Sequence, residues 1–141
     1  MLVDANILLY AVDADSPFHQ RAAAWLEEVL NGPRRVGLPW PALVAFVRIC
    51  THSRALPVPL DVGEAWTYVT DWLACESAWI PQPTGRHAEV LGTLLTRYRL
   101  AGNLVSDAHL AALALEHGLT ICSADTDFAR FSEVRWTNPL A

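Results

Sequence analysis

The chain has 141 residues, of which 52% are hydrophobic and 18% are charged. This composition is more apolar and less charged than that of an average soluble domain. All ten basic residues are arginine, which excludes mechanisms that need lysine, such as Walker-type phosphate loops and Schiff-base enzymes. The net charge of −5 argues against a protein that holds nucleic acid by bulk electrostatics. We expect a single domain over residues 1–141, because a chain of this length can bury a sufficient core.

Cysteine usage and hydropathy predict the cellular setting. Cys50, Cys75 and Cys122 are odd in number and widely spaced, which favours buried free thiols over disulfides or zinc ligands. The apolar runs are too short to cross a membrane, and the amino terminus lacks the basic segment of a signal peptide. We therefore expect no membrane association and a cytoplasmic location.

The first ten residues form an apolar run that is interrupted by one acid and one amide, Asp4 and Asn6. This pattern predicts a buried strand that leads directly into a buried helix, with Asp4 at the junction. Two interpretations of Asp4 are open. It can cap the first helix, or it can begin an acidic site at the carboxyl end of a parallel strand.

Between residues 13 and 100 the spacing of apolar residues predicts helices that alternate with short strands. The predicted elements are a helix over His19–Leu30, a strand over 34–38, a helix over 42–51, a helix over 62–75, a weak strand over 77–80 and a helix over 84–98. We expect Ser16 with Pro17, Asp61 and Thr84 to start three of the helices. The prolines between residues 52 and 60 predict an extended connector.

The last third of the chain predicts a buried helix that begins at Asp107 and ends at Gly118. Residues 119–122 form an apolar run without alternation, which is typical of a parallel strand covered on both faces. A turn with Asp125 and Asp127 follows, and residues 134–136 can add an edge strand. This order of elements predicts a three-layer α/β/α domain with a central, mostly parallel sheet.

Four aspartates are predicted to meet at the carboxyl edge of this sheet, namely Asp4, Asp107, Asp125 and Asp127. Each one alone can be explained as a cap. As a set they are harder to explain in this way, because carboxylates about 4 Å apart repel by roughly 4 kcal/mol per pair at an effective dielectric of 20. A divalent cation would reverse this repulsion. Oxygen ligands favour Mg²⁺ or Mn²⁺ over zinc, and such an ion supports hydrolysis of a phosphodiester.

Three segments together resemble the PIN domain, and specifically the VapC-type toxins of bacterial toxin–antitoxin pairs. They are the opening at residues 3–10, the helix at 106–114 and the turn at 123–128. The resemblance extends essentially from one end of the chain to the other.

This resemblance implies an Mg²⁺- or Mn²⁺-dependent endoribonuclease. Asp4, Asp107 and Asp125 match the metal-binding acids of the family, and Asp127 matches a frequent additional one. Asn6 matches the polar residue that supports the first acid. The resemblance also implies a homodimer that is inhibited by a cognate VapB-type antitoxin, whose carboxy-terminal segment reaches the acidic site.

The chain departs from the family at one position, because Ala45 stands where a glutamate is usual. Two interpretations are open. In the first, which we favour, Asp127 or water completes the site, since three acids can still hold Mg²⁺. In the second, the protein is a weakened module that binds RNA or antitoxin without efficient cleavage. A phosphatase or phosphoacceptor with Asp4 as nucleophile is disfavoured, because proteins of that kind call for a lysine.

Other side chains are weaker candidates for contacts with RNA. Arg48 and Arg54 can bind phosphates, and solvated arginines are the alternative. His109 lies about 200° around the helix from Asp107, so the two cannot share a face. Stacking on bases is open to several tryptophans, although core or antitoxin-facing positions are favoured in so apolar a chain; these are Trp40, Trp66, Trp72 and Trp79.

Overall fold

The computed structural model describes residues 1–141 and contains five strands and six α-helices. In chain order the elements are β1 (Leu2–Val3), α1 (Ala5–Val12), α2 (His19–Leu30), β2 (Val36–Gly37), α3 (Trp40–Cys50), α4 (Val62–Ala74), β3 (Ala78–Trp79), α5 (His87–Arg97), α6 (Asn103–His117), β4 (Ile121–Cys122) and β5 (Trp136–Thr137). A 3₁₀ helix over Thr126–Arg130 lies between β4 and β5. Each strand has only two residues. The second strand is therefore shorter than its predicted range of 34–38, and the last strand is shifted toward the carboxyl terminus from its predicted range of 134–136.

The five strands form one sheet in the order β3-β2-β1-β4-β5, and every neighbouring pair is parallel. In the centre of the sheet Leu2 pairs with Gly37 on one side and Ile121 on the other. Because all strands point the same way, their carboxyl ends meet at a single edge. The predicted three-layer α/β/α fold is therefore confirmed.

Two apolar clusters on opposite faces of the sheet form the core. Neighbouring residues of β1 divide between them, since successive side chains of a strand point to opposite faces. Val3 belongs to the cluster that includes α1, α2, α3 and α4, and Leu2 belongs to the cluster of α5 and α6. Both side chains are completely buried, and each such burial stabilises the fold by roughly 1.5–3 kcal/mol.

Two glycines are required by the backbone. A Cβ atom on Gly37 would lie 2.8 Å from Cγ of Pro81 and 3.0 Å from the carbonyl oxygen of Met1, so a side chain would force β2 away from its neighbours. Gly118 has a φ of +66°, the left-handed conformation that ends α6 as predicted.

The predicted start of α6 is wrong. The helix begins at Asn103, four residues before Asp107, so Asp107 lies inside the helix and does not cap it. The N-cap position is Gly102, which has no side chain to bond the first turn and so gave no capping signal. This correction removes the cap as an explanation of Asp107.

Two other predicted caps lie just outside their helices. Ser16 accepts the N–H of Phe18 at 3.1 Å in the turn before α2, so Pro17 precedes the helix instead of opening it. Thr84 accepts the N–H of Arg86 at 3.1 Å in the same way before α5. Both hydroxyls therefore bind the backbone of a preceding turn, which competes with a true cap.

The cap predicted for α4 is confirmed, because Asp61 and Glu64 form a reciprocal capping box. All three cysteines are free thiols, and Cys50 and Cys122 are buried while Cys75 is half-buried. None of the helices has both the length and the apolar composition that crossing a bilayer requires.

Candidate active site

Asp4 lies at the junction of β1 and α1 and combines the two interpretations that its sequence position left open. Its backbone N–H donates to the carbonyl oxygen of Cys122 at 3.0 Å, which joins it to the end of β4. Its Oδ1 accepts the N–H of Ala5 at 2.7 Å, as expected of a helix cap. The second oxygen, Oδ2, has no part in the cap and is held by side chains of the site.

Ser123 connects the first acid to the turn after β4. It is fully buried, and its hydroxyl donates to Oδ2 of Asp4 at 2.8 Å and accepts the N–H of Asp125 at 3.0 Å. Asn6 Nδ2 donates to Asp4 Oδ2 at 3.2 Å and to Ser123 Oγ at 3.0 Å, and Asn6 Oδ1 accepts the N–H of Ala124 at 3.1 Å. The structure therefore places Asn6 beside Asp4, where it supports the carboxylate.

Ser123 is the residue of the site that the sequence argument did not single out. Its only signal was its place at the end of a buried strand, two residues before Asp125. Serine is common in turns, so the sequence gives no reason to expect one hydroxyl to bind both acids.

The other three aspartates converge on one point. Asp107, Asp125 and Asp127 each present a carboxylate oxygen, and these oxygens all lie within 4.8 Å of one another. Asp107 comes from the second turn of α6, whereas Asp125 caps the 3₁₀ helix by accepting the N–H of Asp127 at 2.8 Å. Asp127 is exposed and also forms an ion pair with Arg130 at 3.3 Å.

A cleft of about 240 Å³ joins Asp4 to Asp107. One wall is α3, which contributes Ala45 and Arg48, and the opposite wall is the start of α6. A glutamate at position 45 would add a carboxylate to this cleft, and the alanine leaves the space open. Arg54 lies outside the cleft, where it lines a neighbouring hollow that it shares with Arg48.

Burial and neighbouring charges raise the pKa values of two of the acids, Asp107 and Asp4. Burial, together with the negative charges of Asp125, Asp4 and Asp127, raises the pKa of Asp107 to about 6, against the opposing effect of Arg130. Burial also raises the pKa of Asp4 above its usual value. The carboxylates of the site therefore repel one another, and together they would attract a cation.

The donor set fits a hard divalent cation. The converging atoms are carboxylate oxygens, without the imidazole or thiolate ligands that zinc prefers. A cation among these oxygens would turn the repulsion that raises the Asp107 pKa into attraction.

His109 lies away from these acids, as its position on α6 predicts. Its Nδ1 is 3.0 Å from Nε2 of His87, whose Nδ1 is 2.6 Å from a carboxylate oxygen of Glu116. The side chain of Glu116 is completely buried and also accepts the N–H and hydroxyl of Thr84 at 2.9 and 2.6 Å. These bonds fasten α5 and its preceding turn to α6.

Comparison with known proteins assigns the family. The PIN domain family matches residues 1–134. This chain belongs to the PIN domain family. The PIN domain is 50% identical over 140 residues to "Ribonuclease VapC37" of Mycobacterium tuberculosis, with 99% of this chain and 97% of the relative covered. It is 41% identical to "Ribonuclease VapC33" of the same species, with 99% and 98% covered.

A solved structure supports the fold of this PIN domain. The structure of VapBC2 from Rickettsia felis, bound to a DNA fragment from their promoter, has a TM-score of 0.69 at 16% identity and covers 97% of this chain and 96% of that chain. The resemblance to VapC-type PIN domains that the three sequence segments indicate is thus confirmed over the whole chain.

Proposed function

We propose that this PIN domain is a metal-dependent endoribonuclease that acts in the cytoplasm as the toxin of a bacterial toxin–antitoxin pair. The observation that carries the proposal is the meeting of Asp4, Asp107 and Asp125, from three separate elements, at one edge of the sheet. Whole-chain similarity to proteins named ribonuclease VapC supports RNA as the substrate. The same similarity favours an active enzyme over a module that binds RNA or antitoxin without cutting.

In this proposal Asp4, Asp107, Asp125 and Asp127 hold Mg²⁺ or Mn²⁺. The last three are supported by carboxylate oxygens within 4.8 Å of one another, and Asp4 by the cleft that it shares with Asp107. When bound, the cation neutralises charge that develops on a phosphate and lowers the pKa of water. Ser123 and Asn6 keep the carboxylate of Asp4 fixed through hydrogen bonds of 2.8 and 3.2 Å. Fixing the carboxylate matters because an acid that rotates freely does not keep its oxygens oriented toward the cation.

The RNA backbone is proposed to run along α3. Arg48 lines the acidic cleft and also the neighbouring hollow with Arg54, so the two guanidinium groups can bind phosphates that follow the cleaved bond. The open space beside Ala45 leaves room in the cleft for a phosphodiester.

A VapB-type antitoxin is the proposed partner, together with a second copy of the chain in a homodimer. The solved VapBC2 complex with the same fold supports the antitoxin. Two exposed apolar side chains on α4, Val62 and Tyr68, support a surface that is covered in larger assemblies.

The test is cleavage of total bacterial RNA by the antitoxin-free protein in Mg²⁺, Mn²⁺ or EDTA. We expect discrete fragments in either metal and none in EDTA. Asp4→Asn should remove cleavage while retaining the fold, because asparagine can still cap α1. Asp15→Asn, which changes an exposed loop acid, is the matched control. Equal cleavage by Asp4→Asn, or cleavage in EDTA, would contradict the proposal.

A further inference from the structure

Two tryptophans form a parallel pair at the surface of α3 and α4. The rings of Trp40 and Trp66 are inclined by only 8°, their centroids lie 6.3 Å apart, and the residues are 36% and 47% exposed. The amino-acid sequence does not distinguish these two tryptophans from Trp72 and Trp79. In the structure, however, Trp72 is buried in the core, and Trp79 is half-buried under the guanidinium of Arg35. The exposed pair is therefore not explained by packing of the core.

The pair adjoins the acidic cleft. Trp40 is the first residue of α3, directly before Pro41, which lines the cleft. One turn later Val44, which is 58% exposed, lines the same cleft. Along α3, which is about 16 Å long, the order is therefore the aromatic pair, the acidic cleft and then Arg48.

A polynucleotide held at the acids can follow α3, which forms one wall of the cleft, over either end of that helix. The arginine end suits phosphates, whereas the tryptophan end carries apolar faces. Asp61 and Glu64, which form the capping box of α4, lie at the same end of that helix as Trp66 and repel phosphates. The chemistry of this end therefore selects the uncharged part of a nucleotide, which is its base.

Net charge gives an independent reason for base contacts. Fifteen acidic residues outnumber ten arginines, so the charge of the whole molecule does not attract RNA, and phosphate contacts are limited to local arginines such as Arg48 and Arg54. Stacking of bases on aromatic rings does not depend on positive charge, and it tolerates many base sequences. An acidic nuclease with an exposed tryptophan pair has this source of affinity available.

Resting on the ribonuclease function proposed above, we infer that Trp40 and Trp66 form a platform on which an unpaired base beside the cleaved phosphodiester stacks. A base within a duplex has both faces covered by its neighbours, so the platform requires RNA that is single-stranded at the cleavage point. The inference thus assigns two residues, Trp40 and Trp66, that contact the base beside the cleaved bond.

The experiment measures binding of a short unpaired RNA that the parent cleaves, using Asp4→Asn protein so that the RNA stays intact. Trp66→Ala should weaken binding by about 5- to 150-fold, the range for loss of one stacking aromatic ring. Trp66→Phe should retain most of the affinity. Phe18→Ala, which removes another exposed aromatic side chain that packs on Tyr10 and does not line the cleft, should leave RNA binding unchanged.

A second arm leaves the protein unchanged and replaces single bases of the RNA by abasic ribose. One abasic position beside the cleaved bond should weaken binding to the Asp4→Asn protein, in which both tryptophans are intact. Where the Trp66→Ala variant folds, it should add no further loss for that RNA. This arm keeps the inference testable if a tryptophan variant fails to fold. RNA already paired across the cleavage point should bind the parent more weakly than the unpaired strand.

The outcomes separate this inference from the proposed function. Cleavage by the parent with equal RNA binding by Trp66→Ala and no effect of any abasic position would overturn the stacking platform alone. Loss of self-association or of antitoxin binding, with RNA binding unchanged, would also overturn it and assign the pair to a protein partner. If the parent cleaves no RNA, the same binding is measured with an arbitrary short unpaired RNA, and binding that depends on Trp66 would support the platform and reject the nuclease.

Discussion

At the scale of single residues, the site is built from carboxylates that repel one another and from neutral groups that hold them in place. Asp107 shows the repulsion most clearly, because burial and the neighbouring charges raise its pKa to about 6. The usual value, which applies to the unfolded chain, is 3.8. The folded protein therefore binds a proton at Asp107 more tightly than the unfolded chain does, and the ionised carboxylate destabilises the metal-free fold.

Replacing Asp107 should accordingly stabilise the protein while removing activity. At pH 7.5 without metal, Asp107→Asn is expected to raise the free energy of unfolding by about 1 to 2 kcal/mol, a rise in Tm of roughly 3 to 8 °C. The advantage over the parent should shrink below pH 6 and vanish below about pH 3, where the carboxyl is protonated in both states. The measurement is the Tm of the parent and of Asp107→Asn by thermal unfolding at each pH.

The control for that series is Asp71→Asn, an exposed acid on α4. It should leave the Tm within about 1 °C of the parent at each pH, as expected for a surface substitution. A parent that is more stable than Asp107→Asn at pH 7.5 without metal would contradict the account of the repulsion.

Ser123 shows how neutral groups hold the acids. Ser123→Ala removes the donor to Asp4 and the acceptor of the Asp125 N–H. We expect a loss of about 1–3 kcal/mol in the free energy of unfolding and a 10- to 100-fold weaker affinity for Mn²⁺. Chemical denaturation and calorimetric titration measure the two effects. The control, Ser132→Ala at an exposed serine, should change neither the free energy of unfolding nor the Mn²⁺ affinity. Unaltered Mn²⁺ affinity in Ser123→Ala would show that the Ser123 hydroxyl does not position the acids.

At the scale of elements, α3 determines how many acids the cleft contains. Ala45→Glu should add a carboxylate beside Asp4 and Asp107, so the metal-free protein should lose stability while Mn²⁺ binds more tightly. The Mn²⁺-induced rise in Tm should exceed that of the parent by several degrees. Ala24→Glu adds the same charge on an exposed position of α2 and should leave the metal effect unchanged. A smaller metal effect in Ala45→Glu would mean that position 45 does not reach the site.

Helix α6 depends on the buried contacts of Glu116. Burial acts to raise the pKa of Glu116, but hydrogen bonds from Thr84 and His87 outweigh it, so the pKa lies below its usual value. Glu116→Ala leaves the donors of Thr84 without an acceptor and should cost about 2–4 kcal/mol of unfolding free energy. Glu28→Ala, at an exposed position of α2, is the control in chemical denaturation. Equal stability of the two variants would contradict this role.

Periodicity predicts the elements well and their ends poorly. The helices over His19–Leu30 and Val62–Ala74 follow from apolar spacing alone, and Asp61 gave a true capping signal. The start of α6 was missed because Gly102 offers no capping side chain, while Ser106 and Asp107 imitate a cap inside the helix. Packing of α6 against α5 and β4 decides its length, and the local sequence does not encode that packing.

At the scale of the whole molecule, the parallel sheet explains why the acids could be found from the sequence. Residues that follow parallel strands, as Asp4 follows β1 and Asp125 follows β4, collect at one edge whatever the details of the connections. Asp107 lies inside α6 and reaches the same edge from that helix. The contacts of Ser123 with two acids and the pairing of Trp40 with Trp66 depend on how separate elements pack, so they needed the structure.

The most direct test of the account is calorimetric titration of the metal-free protein with Mn²⁺. We expect one Mn²⁺ site per chain in the parent and the loss of that site in Asp107→Asn and in Asp125→Asn. Asp15→Asn should bind Mn²⁺ as the parent does. Mn²⁺ binding that is equal in the parent and in both site variants would contradict it, as would a parent that binds no Mn²⁺, because the converging aspartates would then not form a metal site.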